Sequence, residues 1–149
     1  MAFRETIYVR STPEAAWEAL TRPETASLLF PAPLCEMGSA PGEPVVWAAG
    51  GEVFAEGEVL EYAPPRRLAH TFRFVGEAGA ATDAPSKVCY EIEEAEGLVR
   101  LTLVHEDLQA GSQTAAVCAE CWPLILSSLK TLLETGRPLR GERQPDAST

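Results

Sequence analysis

Residues 114–135 read TAAVCAECWPLILSSLKTLLET, and this stretch decides the fold. Val117, Cys118, Cys121, Trp122, Ile125 and Leu129 recur every three or four positions, which on a helix makes one apolar stripe, and Leu132 and Leu133 extend it. Gly111-Ser112-Gln113-Thr114 supplies a capping hydroxyl ahead of the stripe, and Gly136 a C-terminal stop behind it. Pro123 lacks the N–H that a helix interior needs, so it predicts a kink or the opening of a second helical segment.

Upstream of this helix the periodicity is that of strands. Val45–Ala49 and Glu52–Tyr62 flank the turn signal Gly50-Gly51, and Ala63-Pro64-Pro65-Arg66 separates them from Arg67–Val75. Gly76–Ser86 is small and polar and predicts a mobile loop, after which Lys87–Ala95 and Leu98–Asp107 make a hairpin across Glu96-Gly97. At the other end, residues 3–10 alternate as a first strand, with Phe3, Glu5, Ile7 and Val9 on one face. Ser11-Thr12-Pro13-Glu14 then opens a helix to Leu20, and Arg22-Pro23-Glu24 a shorter one to about Leu29. The proline-rich segment from Phe30 to Pro44 is read as irregular. An antiparallel sheet has one face to bury, and only the final helix is long enough to cover it. The expected architecture is α+β: a curved antiparallel sheet of about six strands wrapped round a long C-terminal helix, with two short helices after the first strand. Residues 1–136 form the domain, and residues 137–149 a flexible tail.

Composition narrows the function. The 149 residues include 12 basic and 22 acidic ones, a net charge of −10, and the only adjacent basic pair is Arg66-Arg67. Nucleic-acid binding draws its affinity from basic side chains on phosphates, so nucleic acid is excluded as a partner. No uninterrupted apolar run is long enough to predict a membrane span, and the N-terminus has no apolar signal core, which predicts a cytoplasmic protein. Cys118-Ala119-Glu120-Cys121 has the spacing of a zinc or redox pair. It has no second pair, and it falls inside a running helical pattern, so both thiols are read as small apolar side chains on the buried face.

Four blocks carry a family resemblance. They are Ser11–Glu24 (STPEAAWEALTRPE), Gly57–Leu68 (GEVLEYAPPRRL), Arg100–His105 (RLTLVH), and Trp122 with Leu129–Gly136 (LKTLLETG). In this order they resemble the single-domain proteins related to the activator of heat-shock protein 90 ATPase, within the START-like or SRPBCC superfamily. The resemblance implies a helix-grip fold, like that of the birch pollen allergen, with a deep apolar cavity under the C-terminal helix. Two departures stand out. Phe30–Pro44 replaces an aromatic-rich segment of the family, which predicts a different cavity mouth. The eukaryotic co-chaperone carries a further N-terminal domain with no counterpart before Phe3, which weighs against ATPase activation.

The expected site is the space under the helix. Strand parity puts Leu68, His70 and Phe72 on one inward face, and Leu101, Leu103 and His105 on another. Together with Tyr90, Cys118, Cys121, Trp122 and Ile125 they form the predicted ligand-binding set. A metal held by the two histidines and two thiols is considered and set aside, so no metal or cofactor is expected. Trp17, Trp47 and Trp122 are read as core, with Trp122 at the Pro123 junction also a candidate gate. Glu56, Glu58 and Glu61 read as a solvated strand face rather than an acid–base pair. No catalytic motif appears, and no catalytic residue is assigned. The leading expectation is a module binding a small hydrophobic or amphipathic molecule. A chaperone-interaction module is the alternative, and a cyclase- or hydrolase-like enzyme using His70 and His105 the second. A homodimer is compatible with all three.

Overall fold

In the computed structural model, which describes residues 2–30, 32–75 and 84–139, seven strands form one antiparallel sheet gripping a long helix. The strands are β1 (Phe3–Val9), β2 (Leu34–Met37), β3 (Pro44–Ala49), β4 (Glu52–Ala63), β5 (Arg67–Phe74), β6 (Ser86–Ala95) and β7 (Leu98–Glu106). The helices are α1 (Pro13–Thr21), α2 (Pro23–Ala26) and α3 (Gln113–Thr135). Strand order is β1-β7-β6-β5-β4-β3-β2, a meander from β2 to β7 with β1 laid against the last strand. This is the START-like helix-grip architecture expected from the sequence.

The local signals act as their chemistry dictates. Thr12 caps α1 by accepting the Ala15 N–H at 3.2 Å, with Pro13 in the first turn. Ser112 caps α3 by accepting the Ala115 N–H at 3.0 Å. Gly136 ends it in the left-handed region at φ 76°, its N–H on the Leu132 carbonyl at 2.8 Å. The last turns of α3 are also tied to the end of β1. Glu134 accepts the Arg10 backbone N–H at 2.8 Å, and Lys130 donates to the Tyr8 carbonyl at 2.7 Å. The Arg10 N–H, together with Lys130, which also donates to Glu134 at 2.9 Å, holds the Glu134 carboxyl below its ordinary pKa.

Two expectations are corrected. The Phe30–Pro44 segment contains a strand, β2, which pairs with β3 through Leu34↔Trp47 and Met37↔Val45 and takes the sheet from about six strands to seven. Its four prolines, at 31, 33, 41 and 44, all lie outside the strand and leave its own N–H groups free to pair. Pro123 does not open a second helical segment: α3 runs through it as one element. The proline is exposed, so its ring sits on the solvent side of the helix. The predicted loop Gly76–Ser86 falls mostly at residues 76–83, and the predicted tail mostly at 140–149, both outside the described residues.

One continuous core lies between sheet and helix, with Leu68, Ile92, Leu101 and Leu103 from the sheet meeting Cys118, Trp122, Ile125 and Leu129 from α3. A second cluster, built on Ala26, Leu34, Val45, Trp47, Ala55 and Val59, extends it under β2–β4. Among the described residues α3 is also the one helix long and apolar enough to cross a membrane, with a mean hydropathy of 1.3. Its apolar stripe instead faces the sheet.

A bulge in β4 sets the inward face of its second half. Val59 pairs with His70 and Glu61 with Ala69, so Leu60 is the extra residue and side-chain parity flips. Tyr62 therefore turns inward, its ring 5.2 Å from that of Trp17, whereas Phe54 and Leu60 stay exposed. Glu56 and Glu61 lie on the wet side, paired with Arg73 at 3.1 Å and Arg67 at 2.7 Å.

Candidate functional site

The core is not filled throughout. A cavity of about 270 Å³ lies between the sheet and α3, close to the roughly 300–1,000 Å³ of small-molecule sites. Its walls come from Phe30 and Ala32, from β3 to β6, and from the Val117, Cys118, Cys121, Trp122, Ile125 stripe of α3. Among the described residues no charged side chain lines it. The polar side-chain atoms of the lining belong to His70, Tyr90, Trp47, Trp122 and the two thiols, and the rest is hydrocarbon.

Five aromatic rings of the lining form a closed belt of contacts with one another. Phe30 meets Trp47 at 5.8 Å, Trp47 meets His70 at 5.6 Å, and His70 meets Tyr90 at 6.2 Å between ring centroids. Tyr90 then meets Trp122 at 6.2 Å, and Trp122 returns to Phe30 at 6.4 Å. The contacts are edge-on or tilted, the geometry that ring quadrupoles favour.

The two histidines are held in opposite tautomers. His70 Nδ1 lies 2.7 Å from the Thr71 carbonyl, which can only accept, so Nδ1 carries the proton and Nε2 is a bare acceptor. A glycine makes this possible. A side chain at Gly57 would place its Cβ 1.8 Å from the Thr71 oxygen, so β4 leaves that carbonyl the room in which it receives His70. Thr71 completes the junction by accepting the Glu58 N–H on its hydroxyl at 2.9 Å. His70 is fully buried, and loss of water lowers its pKa from 6.5 to about 4, so it is neutral at physiological pH.

His105 is the reverse case. The Trp122 indole N–H donates to its Nδ1 at 3.0 Å, so the proton sits on Nε2 and is donated to Ser86 Oγ at 2.7 Å. Ser86 in turn donates to the Phe72 carbonyl at 3.2 Å. This relay joins α3 to three neighbouring strands and uses both nitrogens of His105. Burial, and secondarily the nearby His70, lowers its pKa to about 4 as well.

Of the ten expected site residues, His70, Phe72, Tyr90, Cys118, Cys121, Trp122 and Ile125 line the cavity. Leu68, Leu103 and His105 do not. The two leucines belong to the packed core, and His105 lies at 0% exposure with its ring committed to Trp122 and Ser86. With both its nitrogens so used, His105 cannot share a proton with His70. Trp122 is buried and anchored in this arrangement rather than standing as a gate. Among the described residues no three histidine, cysteine or acidic side chains gather to hold a metal ion. Burial raises the Cys118 thiol to about 12 and pushes the Tyr90 phenol up, so both stay protonated.

Sequence reasoning missed Phe30 and Trp47, both in the belt. Phe30 opens the segment read as irregular, and Trp47 was assigned to core packing alone. The signal for Trp47 was its parity with Val45, which puts both on the inner face of β3.

Comparison with known proteins agrees with the geometry. The family model described as activator of Hsp90 ATPase homolog 1-like protein matches residues 10–134. Among solved structures, a protein from Mesorhizobium loti superposes with TM-score 0.75 at 21% identity, covering 89% of this chain and 96% of its own. The Aha1 dimer from Colwellia psychrerythraea gives 0.73 at 18% identity, over 91% of this chain and 98% of that one. An HSP90 activator from Plasmodium falciparum gives 0.73 at 20% identity, over 89% and 96%. At these identities the structures share the fold. No curated protein matches the sequence.

Proposed function

Since the chain belongs to the family of activator of Hsp90 ATPase homolog 1-like proteins, we propose that it is a cytoplasmic START-like module whose residues 1–136 take up a small, mostly apolar molecule between the sheet and α3. The observation that carries this reading is the cavity of about 270 Å³, lined by the five rings and, among the described residues, free of charged side chains. Packed interiors hold few voids larger than a water molecule, and an empty one forfeits dispersion contacts on every wall. An apolar ligand recovers those contacts. His70, Phe72, Tyr90, Cys118, Cys121, Trp122 and Ile125 are the contact residues on this reading.

Native mass spectrometry of freshly purified protein tests it, paired with a thermal-shift screen of lipophilic compounds. A retained small molecule, or a melting temperature raised in proportion to ligand concentration, is the expected result. No adduct and no shift across the library overturns it.

A second reading is an interaction module that engages a chaperone. It is favoured by the likeness to the Plasmodium falciparum HSP90 activator, and the Colwellia psychrerythraea Aha1 dimer favours a homodimer alongside it. Light scattering gives the oligomeric state, and a pull-down with purified Hsp90 gives the contact. A monomer that leaves Hsp90 unbound removes this reading. The enzyme reading rests on His70 with His105, and the engagement of both His105 nitrogens by Trp122 and Ser86 weighs against it.

A further inference from the structure

Three buried side-chain polar atoms in the described residues have no hydrogen-bond partner: Trp47 Nε1, His70 Nε2 and Ser128 Oγ. Two of the three belong to residues that line the cavity. They are complementary. An indole N–H can only donate, and His70 Nε2 can only accept, because its Nδ1 proton is committed to Thr71. His70 is 1% and Trp47 5% exposed, and their rings are adjacent members of the belt, with centroids 5.6 Å apart. Leaving such atoms unpaired in a dry interior is costly, and in a folded protein each one calls for an explanation.

We propose that Trp47 and His70 form a polar anchor for the hydroxyl group of an otherwise apolar alcohol or phenol, whose oxygen accepts from Trp47 Nε1 and whose proton goes to His70 Nε2. This rests on the reading of the cavity as a ligand site and names the class of ligand it takes. A hydroxyl does both jobs through one atom, its oxygen accepting from the indole while its own proton is donated to the imidazole. A carboxylate satisfies the indole but brings no proton for His70, and the lining holds no cation among the described residues to balance its charge. An ammonium group satisfies His70 but offers the indole nothing. A ligand without polar atoms leaves both nitrogens bare. The specificity is of the kind that a site built to pair a hydroxyl exerts against the analogue lacking it.

Calorimetric titration of the full chain with 2-naphthol, its isostere 2-methylnaphthalene, and 2-naphthoate tests the anchor. A merely greasy cavity favours 2-methylnaphthalene, since a hydroxyl entering it sheds its water without compensation. The anchor reverses that order, and 2-naphthol is expected to bind about tenfold more tightly than the isostere. Trp47→Phe and His70→Leu are each expected to erase the preference for 2-naphthol over 2-methylnaphthalene. Because the preference is read first on the unmodified protein, it does not depend on either variant folding. If 2-methylnaphthalene binds more tightly than 2-naphthol, the cavity reading survives and the anchor is overturned. If 2-naphthoate binds most tightly, the neutral-hydroxyl class is overturned. If none of the three binds, the anchor falls together with the cavity reading.

Discussion

The indole N–H of Trp122 on α3 meets Nδ1 of His105 on β7 at 3.0 Å, a hydrogen bond made across the interior between the helix and the sheet that grips it. Sequence separation is only 17 residues, yet the bond joins the two layers of the fold. The apolar stripe sets the rotation of α3 only coarsely, whereas this bond has one register. It therefore specifies which face of the helix looks into the cavity.

Trp122→Phe keeps a ring in the belt but strands the buried Nδ1 of His105. A loss of about 2–4 kcal/mol in urea unfolding is expected, from the unpaired acceptor and the smaller ring together. Ser86→Ala strands the other nitrogen and should cost about 1–3 kcal/mol. The double variant should cost less than the sum, because both act through one imidazole. Strict additivity would show that the relay does not work as a unit.

The histidines make stability sensitive to mild acid. In the folded chain both have pKa values lowered to about 4, against 6.5 for an ordinary imidazole. Well above pH 6.5 both are neutral, folded or unfolded, and contribute nothing to the pH slope. Between 6.5 and about 4 the unfolded chain takes up protons that the folded chain refuses, so stability falls as pH falls. The drop approaches roughly 3 kcal/mol per histidine before it levels off. Urea unfolding at pH 7.5, 5.5 and 4.5 measures it, and His70→Gln should remove about half of the slope. An unfolding free energy unchanged from 7.5 to 4.5 would contradict the buried neutral state.

Gly57→Ala drives a methyl group against the Thr71 carbonyl, where the gap is 1.8 Å. The obstacle is backbone, so the strands must part. A loss of about 3 kcal/mol is expected by thermal or urea unfolding. The same change should disturb the proton position on His70, because Thr71 is what holds it. A variant as stable as the parent would show that β4 and β5 slide apart at little cost.

Thiol labelling should separate Cys35 from Cys89 and Cys118 by access. Cys35 is exposed, while Cys89 and Cys118 are buried with pKa values raised by loss of water. The thiolate is the reactive form, so iodoacetamide at neutral pH should modify Cys35 first and reach Cys89 and Cys118 only on unfolding. Peptide mass mapping reads the order directly. Early modification of Cys118 would mean that the cavity opens to solvent.

Most of the fold was legible because it rests on local chemistry. Caps at Thr12 and Ser112, the Gly50-Gly51 turn and the 114–135 stripe each act within a few residues, and each marks an element of the structure. β2 was not legible, since four residues between prolines acquire strand geometry only by pairing with β3. The inward turn of Tyr62 was hidden for a related reason: the bulge at Leu60 is a property of two strands together. At the site, parity correctly placed His70 and His105 toward the apolar side. It could not tell which of them would be left with a bare nitrogen. That depends on Gly57, Thr71, Trp122 and Ser86, partners that strand parity does not reveal.

The opposed tautomers have a spectroscopic consequence. A protonated nitrogen, a nitrogen accepting a hydrogen bond and a bare nitrogen resonate at separable nitrogen-15 frequencies. His70 presents the bare one to the cavity, and His105 presents none. Filling the cavity with a proton donor should move the His70 Nε2 resonance and leave those of His105 in place. Loosening α3 should move those of His105 and leave His70 alone. The interior thus carries two independent reporters, one for occupancy and one for the seating of the helix.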